Sequence, residues 1–93
     1  RNPLEHRSYI SRAITHAELG NSEQAIADYQ TAIKLASDDP EPYSGLGSVY
    51  YTLRLYKLSL ENYRMYLKLA GESADPEAIK TIREIENLIN VPA

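Results

Sequence analysis

The chain contains no cysteine, no phenylalanine and no tryptophan, and one methionine among its 93 residues. Without cysteine there is no disulfide framework, no thiolate metal site and no thiol nucleophile. The compartment stays open, since helical domains without cysteine occur inside and outside cells, with the cytoplasm favoured. Long apolar runs are missing too. None approaches the roughly 18 positions that a membrane span requires, and no secretory leader pattern is present. Positive charge is scarce: 10 Lys and Arg against 13 Asp and Glu give a net charge of -3. That leaves no overall field to gather phosphates, so nucleic acid is not an expected partner. The chain starts at Arg1 rather than Met, which reads as a domain excised from a longer protein.

What remains is an ordinary globular composition, 43% apolar and 25% charged. A chain of this size forms one domain and buries roughly 60 to 65% of its unfolded surface, a real but marginal core. Eight tyrosines supply all of its aromatic volume. Helix punctuation is regular. Asn2-Pro3, Asp39-Pro40 and Asp75-Pro76 each set a capping side chain before a proline, whose fixed φ and missing N–H suit a first helical turn. Glu5, Glu41 and Glu77 follow where negative charge is favoured. Gly20-Asn21 gives a helix-ending glycine and a capping residue, with Gln24 placed as in a capping box. The matching Arg54-Leu55 has neither, so that turn is expected to be less sharply defined. The reading is all-α, with five helices at about 3–18, 22–36, 40–53, 56–70 and 76–90 and no strand.

The chain also repeats itself. Tyr9, Leu19, Tyr29, Lys34, Leu35 and Ala36 recur 34 residues later as Tyr43, Leu53, Tyr63, Lys68, Leu69 and Ala70. A period of this length marks stacked supersecondary units, none of which can bury its apolar face alone. In the second unit, Tyr43, Leu46, Gly47 and Tyr50 are followed by Ser59 and Tyr63. The first unit has Tyr9, Arg12, Ala13 and His16, then Ala25 and Tyr29. This pattern resembles the tetratricopeptide repeat, in which small residues let two helices approach closely beside aromatic rings. Arg12 departs from the family's Leu, Tyr66 from its Ala, and Ser37 and Gly71 from its Pro. The resemblance implies a short solenoid: repeats at about 6–39 and 40–73, then a capping helix at about 76–90. In the last helix Ala78, Ile79, Ile82, Ile85 and Ile89 form an apolar stripe, while the positions that 34-residue register would bury are Glu77, Lys80, Thr81 and Glu84. It is therefore expected to close the array. The alternative is a dimerisation helix.

Catalysis finds no support in these residues. His6 and His16 are ten positions apart, off the spacing of two metal ligands on one helical turn. Asp38, Asp39 and Glu41 read as caps rather than a cation site, so no metal and no cofactor is expected. Glu23 with Asp28, and Glu84 with Glu86, read as solvated helix faces. Ser44, Ser48 and Ser59 lack a His and acid beside them. The chain is expected to act by binding, not as an enzyme.

The resemblance implies that the first helices of the two pairs line a groove for a peptide or partner helix. Carried over position by position, that groove comprises Arg7, Ile10, Ser11, Ile14, Ala17 and Glu18, then Glu41, Ser44, Ser48, Tyr51 and Thr52. Chaperone-binding members grip a terminal carboxylate with Lys and Asn at the places held by Ile10 and Ile14, so that clamp is not expected. A rotated first helix that buries the two isoleucines is the plainer alternative. Two other roles stay open: weak homodimer formation, or regulation of an enzyme in a longer chain.

Overall fold

The computed structural model describes residues 3–90. It consists of α1 (Pro3–Glu18), α2 (Ser22–Leu35), α3 (Glu41–Thr52), α4 (Tyr56–Ala70), a single 3-10 turn (Gly71–Ser73) and α5 (Pro76–Asn90). There is no strand among the described residues. The helices pack pairwise, α1 on α2 and α3 on α4; α2 then packs on α3, and α4 on α5. The result is a flat stack of 47 × 30 × 18 Å.

Capping chemistry sets these ends. The Glu41 N–H donates to Asp39 Oδ1 at 2.9 Å, and the Glu77 N–H to Asp75 Oδ1 at 3.0 Å. The cap expected from Asn2 lies outside the described residues. Asn21 departs from expectation, because its side chain makes no cap hydrogen bond. The tight turn instead rests on Gly20, at φ +82°: the Gly20 N–H donates to the Ala17 carbonyl and the Asn21 N–H to the His16 carbonyl. This is a Schellman ending, which needs a left-handed residue after the helix. The α3–α4 turn is just as well defined, contrary to expectation. Arg54 takes φ +65°, its N–H reaches the Tyr51 carbonyl, and the Leu55 N–H reaches the Tyr50 carbonyl. The hydrogen bonds dictate this geometry, and a non-glycine residue tolerates its strain.

Two apolar clusters follow. Ile10 and Ala13 of α1, Ala25, Tyr29 and Ala32 of α2, and Leu46 and Val49 of α3 form the first. Leu60, Tyr63 and Tyr66 of α4 with Ala78, Ile82 and Ile85 of α5 form the second, with Tyr43, Tyr51 and Tyr56 packed against it. Helix α3 thus has a neighbour on each flank. Its glycines make this possible. A Cβ on Gly45 would overlap the Tyr29 ring, and one on Gly47 would lie 2.7 Å from Tyr63 Cδ2. Ser59, fully buried in α4, donates through Oγ to the Gly47 carbonyl at 2.6 Å and ties the pair at its closest approach.

Helix α5 turns Ala78, Ile82 and Ile85 inward, and Ile85 is wholly buried. At about 1.5–3 kcal/mol for each fully buried aliphatic side chain, this seam is what holds α5 down. Ile79 is a correction to the expected stripe, since it sits at the border and stays 37% exposed. Tyr66 fills the space next to the seam, and its hydroxyl accepts the Asp75 N–H at 2.7 Å, fixing the entry to α5. The aromatic residue at a position where the first unit has Ala32 is thus accounted for by α5.

Candidate functional site

Helices α1 and α3 touch directly; α1 also packs on α2, and α3 on both α2 and α4. Of the residues expected to line the groove, Arg7, Ser11, Ile14, Ala17 and Glu18 of α1 are exposed, as are Glu41, Ser48 and Thr52 of α3, whereas Ser44 is half-buried. Two expected groove residues fall elsewhere. Ile10 is 3% exposed, inside the first cluster, and is not available to a partner. Its neighbour Ile14 stays 39% exposed, so one of the two isoleucines is buried and the other meets water. Tyr51 is half-buried against the second cluster, its ring edge-on to Tyr56 at 5.8 Å. It contributes an edge at most.

Compared in register, α1 and α3 differ on one flank. Where α3 buries Leu46 and Val49, the corresponding Arg12 and Thr15 of α1 are exposed. Arg12 instead donates through Nε and one terminal nitrogen to both carboxylate oxygens of Asp28, at 2.7 and 2.8 Å, and its guanidinium lies over the Tyr9 ring. Asp28, expected on a solvated face, is 6% exposed. The Arg12 hydrogen bonds hold its carboxyl below the usual aspartate range, against the opposing effect of burial. His16 Nε2 lies 3.8 Å from the same carboxylate. His6, at the other end of α1, meets Asp39 at 2.9 Å, so one side chain both caps α3 and ties down α1. Sequence reasoning missed both pairs. The first did leave a signal: Arg12 and Asp28 stand in register with Leu46 and Asn62, a paired change from neutral to charged.

Two buried tyrosines pack against the glycines of α3, Tyr29 at Gly45 and Tyr63 at Gly47. Burial raises the Tyr29 hydroxyl above its ordinary value, and Glu41 and Glu18 push it the same way. Burial also raises Tyr63, and the Ser48 hydroxyl within hydrogen-bonding reach partly offsets this. Other hydroxyls on the face turn back onto their own helix, Ser44 to the Glu41 carbonyl and Thr52 to the Ser48 carbonyl. Among the described residues, no group of three or more His, Cys, Asp or Glu could hold a metal ion, and no helix is long and apolar enough to cross a membrane.

Comparison with known proteins agrees with this geometry. The family model for the TPR repeat matches residues 15–53. The chain is 34% identical over 90 residues to Hsp70-Hsp90 organizing protein 1 of Glycine max, covering 97% of this chain and 15% of that protein. It is 28% identical over 90 residues to the Hsp70-Hsp90 organizing protein of Triticum aestivum, again covering 97% and 15%. With DnaJ homolog subfamily C member 3 of Gallus gallus it shares 38% over 58 residues, 62% of this chain and 12% of that protein. The chain spans about 15% of the length of the organizing proteins it matches. Five helices packed in pairs, small residues beneath tyrosine rings and this match together place the chain in the tetratricopeptide-repeat family, whose members generally mediate contacts between proteins.

Proposed function

We propose that the chain is a non-catalytic recognition module that holds a peptide or a partner helix against the shared face of α1 and α3. In this reading residues 6–39 and 40–73 are its two repeats and 76–90 its closing helix. The observation that carries it is Ile14, an isoleucine 39% exposed and flanked by Ala17, beside the short hydroxylated row of Ser44, Ser48 and Thr52. An exposed apolar residue in a polar surround favours a ligand that brings an apolar side chain of its own. Affinity is modest, because two repeats offer less than the roughly 1,200–2,000 Å² of a standard stable interface.

Relatives named for organizing Hsp70 and Hsp90 make chaperone segments sensible first ligands to try. Capture by a carboxylate clamp is disfavoured, since Ile10 is buried and Ile14 carries no charge or amide. The inward seam of α5 argues against dimerisation through that helix. The test is selection of peptides from a random displayed library, repeated with Ile14→Glu and Ser48→Glu together. Both residues are exposed, so the variant keeps its helicity. Selected peptides lose binding to the variant; equal binding refutes the proposed face.

A further inference from the structure

Consecutive helices are joined by short connections and pack on one another, so the start of α2 lies beside the end of α3. The Gly20 and Arg54 turns therefore sit on one edge of the stack. Four leucines crowd that edge: Leu19 before Gly20, and Leu53, Leu55 and Leu58 around Arg54. All are exposed, Leu19 to 69%. The turns themselves need at most one of them. In a Schellman ending the residue after the left-handed position commonly packs back on its helix. Asn21 holds that place in the first turn and Leu55 in the second, and Leu55 still stays exposed.

Charge divides between the two turns. Glu18 and Glu23 flank the first, and Arg54 and Lys57 belong to the second; all four are exposed, and none makes an ion pair among the described residues. His16, beside the first turn, is half-buried near Asp28, and Glu61 stands one helical turn beyond Lys57. Two of the four charges oppose their own helices. Glu18 ends α1, where the free carbonyls are negative, and Lys57 stands in the first turn of α4, where the free N–H groups are positive. We infer that this edge is where two copies of the chain meet. A two-fold axis lying in the edge, between the turns, sets the first turn of one copy against the second turn of the other. Glu18 and Glu23 then face Arg54 and Lys57 twice over, and Leu19 meets Leu53, Leu55 and Leu58. An anionic lipid surface would suit Arg54 and Lys57 but repel Glu18 and Glu23, whereas a second copy satisfies both signs. Two short turns cover less than the roughly 800 Å² per partner of a standard interface, so the dimer is weak, with a Kd of about 0.1–1 mM.

Sedimentation equilibrium of the 93-residue chain tests this. The average mass rises from 10.5 kDa toward twice that value as the concentration nears the millimolar range. Glu18→Lys and Lys57→Glu each give a helix end the charge it favours, so each variant keeps or gains stability in urea unfolding. Each nevertheless weakens self-association about fivefold or more, because a reversed charge counts twice across the axis. Mixed in equal amounts, the two variants recover the parent's association: the lysine introduced in one meets the glutamate introduced in the other, and the unaltered pair forms again. Leu19→Ser with Leu55→Ser abolishes association, and both positions are exposed, so the fold is kept. A mass fixed at 10.5 kDa up to about 2 mM, no recovery on mixing, or binding to phosphatidylserine vesicles by a chain that stays monomeric overturns the inference. The peptide-binding face is judged separately, by Ile14 and Ser48 at dilutions where the chain is a monomer, so either reading can fail alone.

Discussion

Arg54→Gly should stabilise the protein, and Gly20→Arg should destabilise it. Each of the two within-repeat turns needs a left-handed residue, and the two share one hydrogen-bond pattern: the Asn21 N–H reaches the His16 carbonyl at 2.8 Å, and the Leu55 N–H reaches the Tyr50 carbonyl at 2.9 Å. At φ +65°, Arg54 bears the steric conflict between Cβ and backbone that costs an L-residue about 1–2 kcal/mol in this region. Glycine removes it but has more freedom to lose on folding, which gives back about 0.4–1 kcal/mol. Arg54 is exposed and makes no ion pair among the described residues, so little else is forfeited. The net gain is about 0.5–1 kcal/mol, or a rise in Tm of roughly 2–8 °C for a domain of this size. At Gly20 a Cβ would meet nothing within 4 Å, so Gly20→Arg isolates the conformational cost from any clash and should lower stability by about 1 kcal/mol. Urea unfolding followed by circular dichroism measures both. A neutral or destabilising Arg54→Gly would show that the bonds of the turn do not demand the left-handed residue.

Ile85→Ala removes the one wholly buried isoleucine of the α5 seam and should cost about 2–5 kcal/mol, with faster amide hydrogen exchange in α4 as the local signature. Gly47→Ala drives a methyl into the Tyr63 ring; urea unfolding should show a loss of about 1–3 kcal/mol, less up to about 1 from improved helix propensity. Ser59→Ala should stay within about 1 kcal/mol of the parent in the same assay, because the Gly47 carbonyl lies mid-helix and keeps its α-helical donor. On acidification, the depressed Asp28 carboxyl gives stability that is complete above its ordinary value near 3.8 and is lost as pH falls through the lower folded value. Asp28→Asn should therefore flatten the acid limb of the stability profile. Tyr29 and Tyr63 run the other way: raised in the folded state, they stabilise fully below about pH 10 and less as pH climbs further, so phenolate absorbance should show two late-titrating groups.

Helix positions were legible because each boundary is marked by local chemistry. Asp39, Asp75 and Gly20 act within a few residues of where they stand, and such effects survive folding. The Arg54 turn shows where local reasoning stops: the residue is a poor fit, yet the pairing of α3 with α4 holds it in place. The candidate face was legible only as a register. Counting 34 residues places Ile10 opposite Ser44 and Arg12 opposite Leu46, but the roll of α1 about its axis depends on what packs against each flank. The Arg12–Asp28 and His6–Asp39 pairs depend on the same roll and join residues 16 and 33 positions apart, a distance no local pattern spans.

In the proposed reading, the difference between α1 and α3 also governs how discrimination is divided along the face. Packed on one flank by α2 and on the other by α4, α3 must spend Leu46 and Val49 on the first side, and Tyr43, Gly47 and Tyr51 on the second. A narrow strip is left for a partner, and Ser44, Ser48 and Thr52 fill it. With Ser44 and Thr52 turned back onto carbonyls of α3, the strip makes few directional demands. Helix α1 carries Ser8, Arg12 and Thr15 on the flank that corresponds to Leu46 and Val49, and Ser8 and Thr15 likewise bond to carbonyls of their own helix. It can therefore bury Ile10 and still leave Ile14 in water. Shape along α3 is then permissive, and Ile14 on α1 is the selective element of the proposed face. On that reading Ile14→Ala should weaken a selected peptide more than Thr52→Ala does, as titration of the same peptide into each variant would show. Equal losses from both substitutions would refute an apolar anchor on α1.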